Sequence, residues 1–594
     1  MTNKLFFSIG CLCILSWNVN AAPRTVNDAM NEANQFLSRS SALRSSGDVQ
    51  LAYTCPENAY YVFNCPHEEG FVIISGDDRA KTVLGYTDTG SFDFFTLPDN
   101  FKYWLSCYEN ELNALMKQEY SPEPVPDSST IGFQTDLVPF TEPMIISLWG
   151  QDAPFNNLCP VIPAGKPGAG SRTVSGCVAT AMAQIMKYYE WPATYSFSKT
   201  YTTQTLKVRI SESFNGTYTW EDMANNYNSG IVRPAAQTAV ATLMYHCGVA
   251  VEMDYDTSSG AYTLDVPLAL SQLFDYDKNM QIYRRDYYTD DEWKYMILNE
   301  LNAERPVYYS GVSPAGGHAF ICDGYDGANF FHFNWGWRGT SDGYFALSAL
   351  NPSALGINNA FSSEQMIITG IQKPNPASIP PPPQILLDNP LSPDQISVGR
   401  NQAFSITVSG LWNMGAYTFS GHLGIGLYDN DGQSIYQDVD PITLRSGYGW
   451  RNIQFYDLSV PGDIPDGDYR LYIIYSTDRD QWYTARAPVN VASHINVSLT
   501  GGTISFLLPT PVQTPVVANT ITVYPNPADE ELVVQSPEIL KNIVIFDSLG
   551  KKWMEKNIQA GNSVSIPVVS LPAGQYIIQI ETNTGFVSRK FTKR

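Results

Sequence analysis

Residues 175–189 read SGCVATAMAQIMKYY, and this stretch decides the fold of the chain around it. Its apolar side chains recur at helical spacing until Trp191-Pro192, where the proline ends the pattern. The spacing therefore predicts a helix that begins at Cys177. Unpaired N–H groups and the positive end of the helix dipole favour a thiolate there, while Ser175 and Gly176 allow an N-cap and a close approach by a substrate carbonyl. A nucleophilic Cys177 is the prediction, and a buried cysteine that caps a core helix is the alternative.

Three histidines between residues 140 and 373 are candidates for the base that would activate this cysteine. His318 follows two glycines, which leave room for a substrate backbone, and it begins an apolar strand pattern. Its distance from Cys177 falls within the separation of about 130–150 residues between nucleophile and base in papain-like enzymes. His246 follows an apolar helical run and is expected to be a core or surface histidine. His332 stays a rival base on spacing alone.

Asn334 is the candidate for the group that orients the base. It shares one face of a predicted strand at residues 330–335 with His332. An amide that accepts the imidazole N–H fixes the ring without adding a charge. Trp335 and Trp337 would shield that hydrogen bond from water, and two core tryptophans are the alternative.

An oxyanion hole is the remaining requirement of this chemistry. The backbone N–H of Cys177 is one donor, and the side chain of Gln151, in Trp149-Gly150-Gln151, is the candidate second donor. Taken alone, that glutamine has no feature that sets it apart. A site of this kind needs no metal or organic cofactor, and the cysteines lack the paired C-x-x-C spacing that predicts zinc.

The composition excludes several classes of protein. A chain of 594 residues is too long for one core, and roughly four units are expected. The net charge of −22, from 58 Asp and Glu against 36 Lys and Arg, argues against a nucleic-acid partner, because phosphates would repel such a surface. With 16% charged and 13% aromatic residues, the chain is expected to be folded rather than a disordered acidic tail.

Residues 1–22 are typical of an export signal peptide. Lys4 supplies the positive charge, residues 5–17 the apolar core and residues 19–22 a cleavage site of small residues. A lipoprotein signal at Cys11 is the alternative, although the apolar stretch before it is short. No other stretch reaches the roughly 18 apolar residues that a membrane span needs, so no transmembrane segment is expected in the mature protein. Its odd number of cysteines indicates one free thiol, and no disulfide pairing is predicted.

Breaks in composition divide the rest of the chain into four predicted domains. Residues 121–126 (SPEPVP) would end any helix, and residues 379–383 (IPPPP) form a stiff spacer. The predicted domains are an α+β propeptide at 23–130, a peptidase domain at 140–373, an immunoglobulin-like β-sandwich at 384–495 and a second, smaller sandwich at 519–594. An ordinary N-terminal domain is the alternative to a propeptide.

Local patterns predict elements inside these domains. Helices are expected at 26–37 and 101–116, with strands at 60–63 and 71–74 between them. In the later domains, the sequences PDGDY (465–469) and PAGQY (572–576) each place a turn before a strand that a tyrosine leads. DNDG at 429–432 is expected to be a hairpin turn, because a calcium loop would carry a glutamate at its twelfth position.

Four stretches resemble the streptopain family of bacterial cysteine peptidases, whose fold is papain-like. They are residues 149–156 (WGQDAPFN), 175–189, 317–325 (GHAFICDGY) and 331–337 (FHFNWGW). The resemblance implies that Cys177 is the nucleophile and that His318, rather than His332, is the base. It also implies an orienting amide at Asn334, a shielding indole at Trp335 and an oxyanion donor at Gln151.

Two further resemblances concern the ends of the chain. Residues 71–79 (FVIISGDDR) and 83–86 (VLGY) are similar to the streptopain propeptide, which implies an intramolecular inhibitor. Residues 524–527 (YPNP) and 571–574 (LPAG), with a basic end, resemble the sorting domain of the type IX secretion system. This implies that the secretion machinery is a partner.

The sequence therefore predicts an α+β cysteine endopeptidase that is made as a latent zymogen and is secreted or held at the cell surface. It would cut protein or peptide substrates through an acyl-enzyme. An acyl transferase that uses the same Cys-His-Asn site is one alternative. A non-catalytic adhesin or host-protein binder, built on the β-rich domains, is the other.

Overall fold

The structure is a computed structural model. It describes residues 23–39, 47–116, 140–228, 232–313, 316–349, 365–489 and 491–507, and in the C-terminal part 522–524, 528–536, 539–547, 552–558, 561–572, 574–582 and 586–593. The predicted signal peptide at 1–22 and the breaker at 121–126 lie outside these ranges. The chain divides at Pro381 and Pro382 into two compact units, within the predicted spacer. The limits predicted for the individual domains stay predictions.

The first unit combines helices with one large sheet, which confirms the predicted α+β class. The N-terminal segment, residues 23–116, contributes α1 (Val26–Arg39), β1 (Gln50–Thr54), β2 (Tyr60–Asn64), β3 (Phe71–Ser75), β4 (Val83–Tyr86) and α2 (Asp99–Met116). The later residues contribute α3 (Cys177–Tyr189), β5 (Thr194–Thr202), β6 (Arg209–Thr217), α4 (Pro234–Ala250), α5 (Val266–Leu273), β7 (Gln281–Arg284), α6 (Asp290–Asn302), β8 (Val307–Ser313), β9 (Gly316–Tyr325), β10 (Phe331–Asn334), β11 (Gly343–Phe345) and β12 (Met366–Thr369). The helices and strands expected in the N-terminal segment are confirmed to within two residues.

Ten strands form a single sheet in the order β1-β2-β3-β4-β11-β10-β9-β8-β12-β7. Strands of the N-terminal segment make one end of this sheet, and strands from beyond residue 280 make the other. They join where β4 pairs antiparallel with β11, with Tyr86 opposite Tyr344 and Gly85 opposite Phe345. The N-terminal segment is therefore built into the sheet that carries His318 and Asn334.

Helix α3 begins at Cys177, as the sequence predicts. Residues 178–186 are all buried, and the helix packs against α4 and β9. Glu190 follows in the left-handed conformation with φ of 46°, and Trp191-Pro192 continues away from the helix. Burial of this helix on several sides fixes its position against β9.

Helix α2 packs its aromatic residues on the middle of the sheet. The ring of Trp104 lies 4.7 Å from that of Phe333, and the ring of Phe101 lies 5.2 Å from that of Trp335. The helix begins two residues earlier than expected, at Asp99, whose carboxylate suits the positive end of the dipole. This packing brings the N-terminal segment directly over strands β9 and β10.

The second unit begins with a two-sheet sandwich, as predicted. Its strands are β13 (Ile385–Leu387), β14 (Ser392–Pro393), β15 (Ser397–Gly399), β16 (Phe404–Asn413), β17 (Phe419–Tyr428), β18 (Ser434–Leu444), β19 (Gly449–Leu458), β20 (Gly467–Ser476), β21 (Tyr483–Thr484), β22 (His494–Thr500) and β23 (Thr503–Leu507). One sheet contains β13, β16, β14 and β19, and the other runs β15-β23-β22-β20-β17-β18 with β21 beside β20. Apolar side chains from both sheets share one core.

A second set of strands ends the chain: β24 (Thr522–Tyr524), β25 (Glu531–Gln535), β26 (Leu540–Asp547), β27 (Lys552–Asn557), β28 (Ser563–Pro567), β29 (Gly574–Thr582) and β30 (Phe586–Lys593). They form two sheets, β24-β25-β28 and β27-β26-β29-β30, with a core of their own. The repeated turn motif has a physical basis, since the Tyr469 hydroxyl donates to the Pro465 carbonyl at 3.0 Å and the Tyr576 hydroxyl to Pro572 at 2.9 Å. Asp429 N–H bonds to the Gln433 carbonyl at 3.1 Å, which confirms the expected turn between β17 and β18.

All seven cysteines in the described residues carry free thiols. Six of them are buried, and only Cys177 is partly exposed. Cys159, Cys247 and Cys322 are among the buried free thiols. Within the described ranges, the helices include none that is long and apolar enough to span a bilayer.

Candidate active site

Cys177 is the first residue of α3, and a glycine places it there. Gly176 has a φ of 85°, and a Cβ at this position would lie 2.8 Å from the sulfur of Met253. Glycine is also the N-cap, so no side chain caps the helix. Ser175 instead turns its hydroxyl to the Gln151 carbonyl at 3.3 Å. The unpaired N–H groups at the start of α3 are thus left for the thiol and for a substrate.

The thiol of Cys177 is influenced by opposing effects. Burial raises its pKa, while backbone N–H groups of Ala319 and Val178 stabilise the thiolate and lower it. Burial dominates, so the pKa of Cys177 lies above its ordinary value. The thiolate expected from the helix terminus is therefore not the favoured form in this structure.

His318 lies on β9, immediately before Ala319, and α2 covers its ring. The ring of Tyr103 stacks on the imidazole with centroids 5.6 Å apart and planes 24° apart. Burial lowers the pKa of His318, and the nearby charge of Asp99 partly offsets this. Gly311 pairs opposite His318, and a Cβ there would lie 2.2 Å from the Tyr103 hydroxyl. A glycine at 311 therefore makes room for the tyrosine of α2.

Asn334, at the end of β10, is buried in a ring of hydrogen bonds. Its Oδ1 accepts from Gln184 Nε2 at 2.9 Å and from the Gly336 N–H at 3.0 Å. Its Nδ2 donates to the Ser147 carbonyl at 3.1 Å. A carbonyl oxygen has two lone pairs, so both are already used. The predicted orientation of His318 by this amide would require Oδ1 to exchange one of these partners.

The two tryptophans of the FHFNWGW sequence have different environments. Trp335 is fully buried, and its indole N–H donates to the Ser341 carbonyl at 2.8 Å. The Trp335 carbonyl accepts a hydrogen bond from the Asn100 side chain of α2. Trp337 remains 37% exposed. Trp335 alone has the burial expected of a shielding indole.

Gln151 lies on the segment that runs beside the start of α3. Its backbone carbonyl accepts the Ser175 N–H at 3.0 Å. This contact places the residue next to the turn that leads into Cys177. The location is suited to an oxyanion donor, and the sequence offered no independent reason to expect it.

His332 and His246 are held in place by other partners. His332 Nδ1 lies 2.6 Å from Oδ1 of Asp323, a carboxylate with no exposed surface. Burial alone would lower the pKa of His332, but the charge and hydrogen bond of Asp323 raise it overall. His246 bonds to the Tyr218 hydroxyl at 2.8 Å, and burial lowers its pKa to about 4. His246 is thus a core histidine, one of the two roles expected for it.

His332 and Asn334, two residues apart on β10, have different hydrogen-bond partners. The pairing of β10 with β9 is irregular after His332, where Asp323 has no residue opposite it. His332 contacts this bulged Asp323, whereas Asn334 contacts Gln184. The extra residue lies in β9, and β10 pairs regularly with β11 over Phe331–Phe333, so the structure does not contradict the predicted common face.

Sequence reasoning missed Gln184 and Tyr103. Gln184 is a long polar residue in the buried face of a mostly apolar helix, and that exception was the available signal. Tyr103 is one aromatic residue among several in α2, and no pattern shows which of them would meet His318. That information exists only once α2 has been docked on the sheet.

Comparison with known protein families gives three matches along the chain. Residues 149–345 match the Peptidase C10 family, residues 21–112 match the Spi protease inhibitor, and residues 522–594 match the secretion system C-terminal sorting domain. The predicted resemblances of the N-terminal segment and of the C-terminal part are confirmed. The sorting domain marks the chain for secretion or for the cell surface.

The thiol protease/hemagglutinin PrtT of Porphyromonas gingivalis is 34% identical over 404 residues, which cover 64% of this chain and 46% of that protein. The chain therefore spans less than half the length of that relative. Streptopain of Streptococcus pyogenes is 35% identical over 376 residues, which cover 59% of this chain and 92% of streptopain. Among solved structures, prointerpain A of Prevotella intermedia shares 33% identity at a TM-score of 0.45, covering 54% of this chain and 98% of that one. With a family match over the segment that contains Cys177 and His318, and with nearly all of streptopain aligned, the chain belongs to the Peptidase C10 family, a family of cysteine peptidases.

Proposed function

We propose that this chain is the latent precursor of a secreted cysteine endopeptidase, and that a cut between residues of about 120 and 147 activates it. The observation that carries the proposal is the placement of α2. This helix stacks Tyr103 on His318 and bonds Asn100 to the Trp335 carbonyl. It thereby occupies the space beside the base that a substrate would need. The match of residues 21–112 to a protease inhibitor supports the same reading.

In the proposed reaction, His318 accepts the proton of Cys177, and the thiolate sulfur attacks the carbonyl carbon of the peptide bond. The Cys177 N–H and the Gln151 side chain stabilise the negative oxygen that forms. The imidazolium then gives its proton to the leaving amine, and the C–N bond breaks to leave a thioester. Water, deprotonated by His318, releases the acid and restores the thiol.

Trp335 and Asn334 support the base in this proposal. Trp335 shields the imidazole from water, for which its full burial is suitable. Asn334 would orient the ring after exchanging one of the two donors that now occupy its oxygen. Neither residue would touch the peptide carbonyl.

Latency would have an electrostatic component as well as a steric one. Burial raises the pKa of Cys177 and lowers the pKa of His318. Both shifts favour the neutral thiol and neutral imidazole over the ion pair that attacks the substrate. Departure of α2 would uncover the His318 ring and relieve the shift of its pKa.

The test compares the purified precursor with the same protein after limited proteolysis between 120 and 147, on a protein substrate. We expect little turnover before the cut, a large increase after it, and no turnover by Cys177→Ala in either form. Equal turnover by precursor and cut protein would refute latency. Mass spectrometry of the products separates hydrolysis from transfer to an amine, and a cut wild-type protein that neither hydrolyses nor labels with a thiol-directed epoxide would favour the non-catalytic alternative.

A further inference from the structure

We propose that Gln184 is a positioning residue for this reaction, which joins the nucleophile helix to the two segments that carry Gln151 and Trp335. The inference rests on the proposed function. Gln184 lies seven residues after Cys177, two turns along the same side of α3. It is 1% exposed, in a helix whose other buried residues are mostly apolar.

Both ends of the Gln184 amide are used. Its Oε1 accepts from the Ser147 hydroxyl at 3.0 Å and from the Trp149 N–H at 3.3 Å. Its Nε2 donates to Asn334 Oδ1 at 2.9 Å. The amide therefore connects α3 with residues 147–149, which lead to Gln151, and with the end of β10, which leads to Trp335.

Backbone groups fix the direction of every hydrogen bond in this ring. The Gly336 N–H can only donate, so the atom of Asn334 that faces it is Oδ1. The Ser147 carbonyl can only accept, so it faces Nδ2 of Asn334. Gln184 must then present its N–H to Asn334 and its oxygen to the Trp149 N–H. A flip of either amide would oppose two donors or two acceptors.

The ring is buried as well as directional. Ser147 and Asn334 are each 2% exposed, and they bond to one another through the Ser147 carbonyl. Buried amides of this kind are costly to leave unpaired, so removal of Gln184 would drive Asn334 and residues 147–149 to find new partners. Those movements would displace the oxyanion segment and the Trp335 loop relative to Cys177.

Two substitutions separate the functions of this amide. Gln184→Glu keeps the shape and both acceptor contacts, but it places a carboxylate oxygen against Asn334 Oδ1. Gln184→Met keeps the approximate length and loses every hydrogen bond. Ile185→Val is the matched control, because it removes one methyl group from a fully buried neighbour on α3 and touches no polar group of the ring.

The experiment uses the full-length chain after activation by limited proteolysis. It measures kcat and KM per titrated active site, Tm, and the rate of Cys177 alkylation by iodoacetamide as a function of pH. We expect Gln184→Met to lower kcat by about 100-fold with little change in KM, since small misplacements of reacting groups carry costs of that size. Gln184→Glu should lower kcat less and shift the pH profile of alkylation. Ile185→Val should keep the wild-type kcat and profile even where its Tm falls.

Wild-type kcat and alkylation profile in both Gln184 variants, with only a lowered Tm, would show a purely structural residue and overturn the inference. If Gln184→Met does not fold, Gln184→Glu decides, because it preserves shape and two of the contacts. If the wild-type protein hydrolyses nothing, the proposed function fails. The alkylation profile then still decides on Gln184, since alkylation needs no substrate.

Discussion

His318 and His332 lie on neighbouring strands, and their different partners predict different losses. His318→Ala removes the proposed base, so kcat/KM should fall by as much as about 10⁶-fold, as for other nucleophile–base units. His332→Ala removes the imidazole from the buried Asp323 carboxylate, which keeps the Ile145 N–H at 2.7 Å. Loss of one partner of a buried pair costs about 3–5 kcal/mol of stability. Activity per folded molecule should persist. Measurement of kcat/KM and unfolding for both variants on one substrate tests this.

His246→Ala is the control for the loss of a buried imidazole that is bonded to a neutral tyrosine and not to a carboxylate. The base would be misassigned if folded His332→Ala were inactive while His318→Ala still turned over. The resemblance that selects His318 would then have to be abandoned at that position.

Glu111, on α2, predicts a pH dependence of stability. Its carboxylate accepts from the Ser348 hydroxyl at 2.9 Å and the Ala349 N–H at 2.6 Å. Burial and the charge of Asp290 raise its pKa to about 7, although these hydrogen bonds and Lys81 oppose the rise. Because the folded-state pKa exceeds the ordinary 4.5, the contribution is complete below pH 4.5 and is lost as the pH rises through about 7.

We therefore expect the Tm of the first unit to fall more between about pH 5.5 and pH 8 in the wild type than in Glu111→Gln, which cannot ionise. The difference should be on the order of 3 kcal/mol or less. Thermal unfolding of both precursors at the two pH values provides the measurement. Parallel pH dependence in the two proteins would contradict a protonated Glu111.

At the residue scale, the sequence was informative where one residue decides the local geometry. Gly176 and Cys177 could be placed because the start of a helix and a close approach by a substrate each require particular residue types at those positions. The pKa shift of Cys177 could not be predicted, because it comes from burial of the thiol in the folded structure, which no local pattern reveals. The sequence also could not show that Asn334 Oδ1 already accepts two hydrogen bonds, since one of them comes from Gln184 on another element.

At the scale of elements, α2 is the part of the N-terminal segment that meets the site. Tyr103→Ala removes the ring that stacks on His318 and leaves a cavity under the helix. We expect the uncut precursor to gain measurable activity and to react faster with iodoacetamide at Cys177. Initial rates on a protein substrate, before any cleavage, test this expectation.

Phe95→Ala is the matched control, because that aromatic residue belongs to the same segment and is 90% exposed. It should leave the precursor latent. If Tyr103→Ala is as latent as the control while it folds normally, then contact of Tyr103 with His318 does not maintain latency.

Most helices and strands of the N-terminal segment could be predicted from the sequence, whereas the pairing of strands in the sheet could not. Periodicity gave α1, α2, β2 and β3 to within two residues because the pattern that forms an element is local. The pairing of β4 with β11 joins residues about 260 positions apart, and a single sequence carries no local sign of it. The extra residue at Asp323 in β9 was hidden for the same reason.

At the scale of the whole molecule, the C-terminal match to a sorting domain separates export from catalysis. A protein that ends before Asn519 keeps every residue of the candidate site. We expect it to show wild-type kcat/KM after activation and to accumulate in the periplasm of its native host. Fractionation of cells and medium, with activity measured in each fraction, tests both the retained activity and the failure of export. Normal appearance of the truncated protein in the medium or at the cell surface would contradict a sorting role.

The pairing of β4 with β11 determines which part of the sheet becomes exposed when the enzyme is activated. Loss of the N-terminal segment would leave β11 as the border of a six-stranded remainder, with N–H and C=O groups that had been paired to Gly85 and Tyr86. Open sheet borders recruit other chains and promote aggregation when they are long and flat. β11 spans only three residues, Gly343–Phe345. Another chain could therefore form few hydrogen bonds with it. The trimmed enzyme should therefore remain dispersed at concentrations where a longer border would cause precipitation.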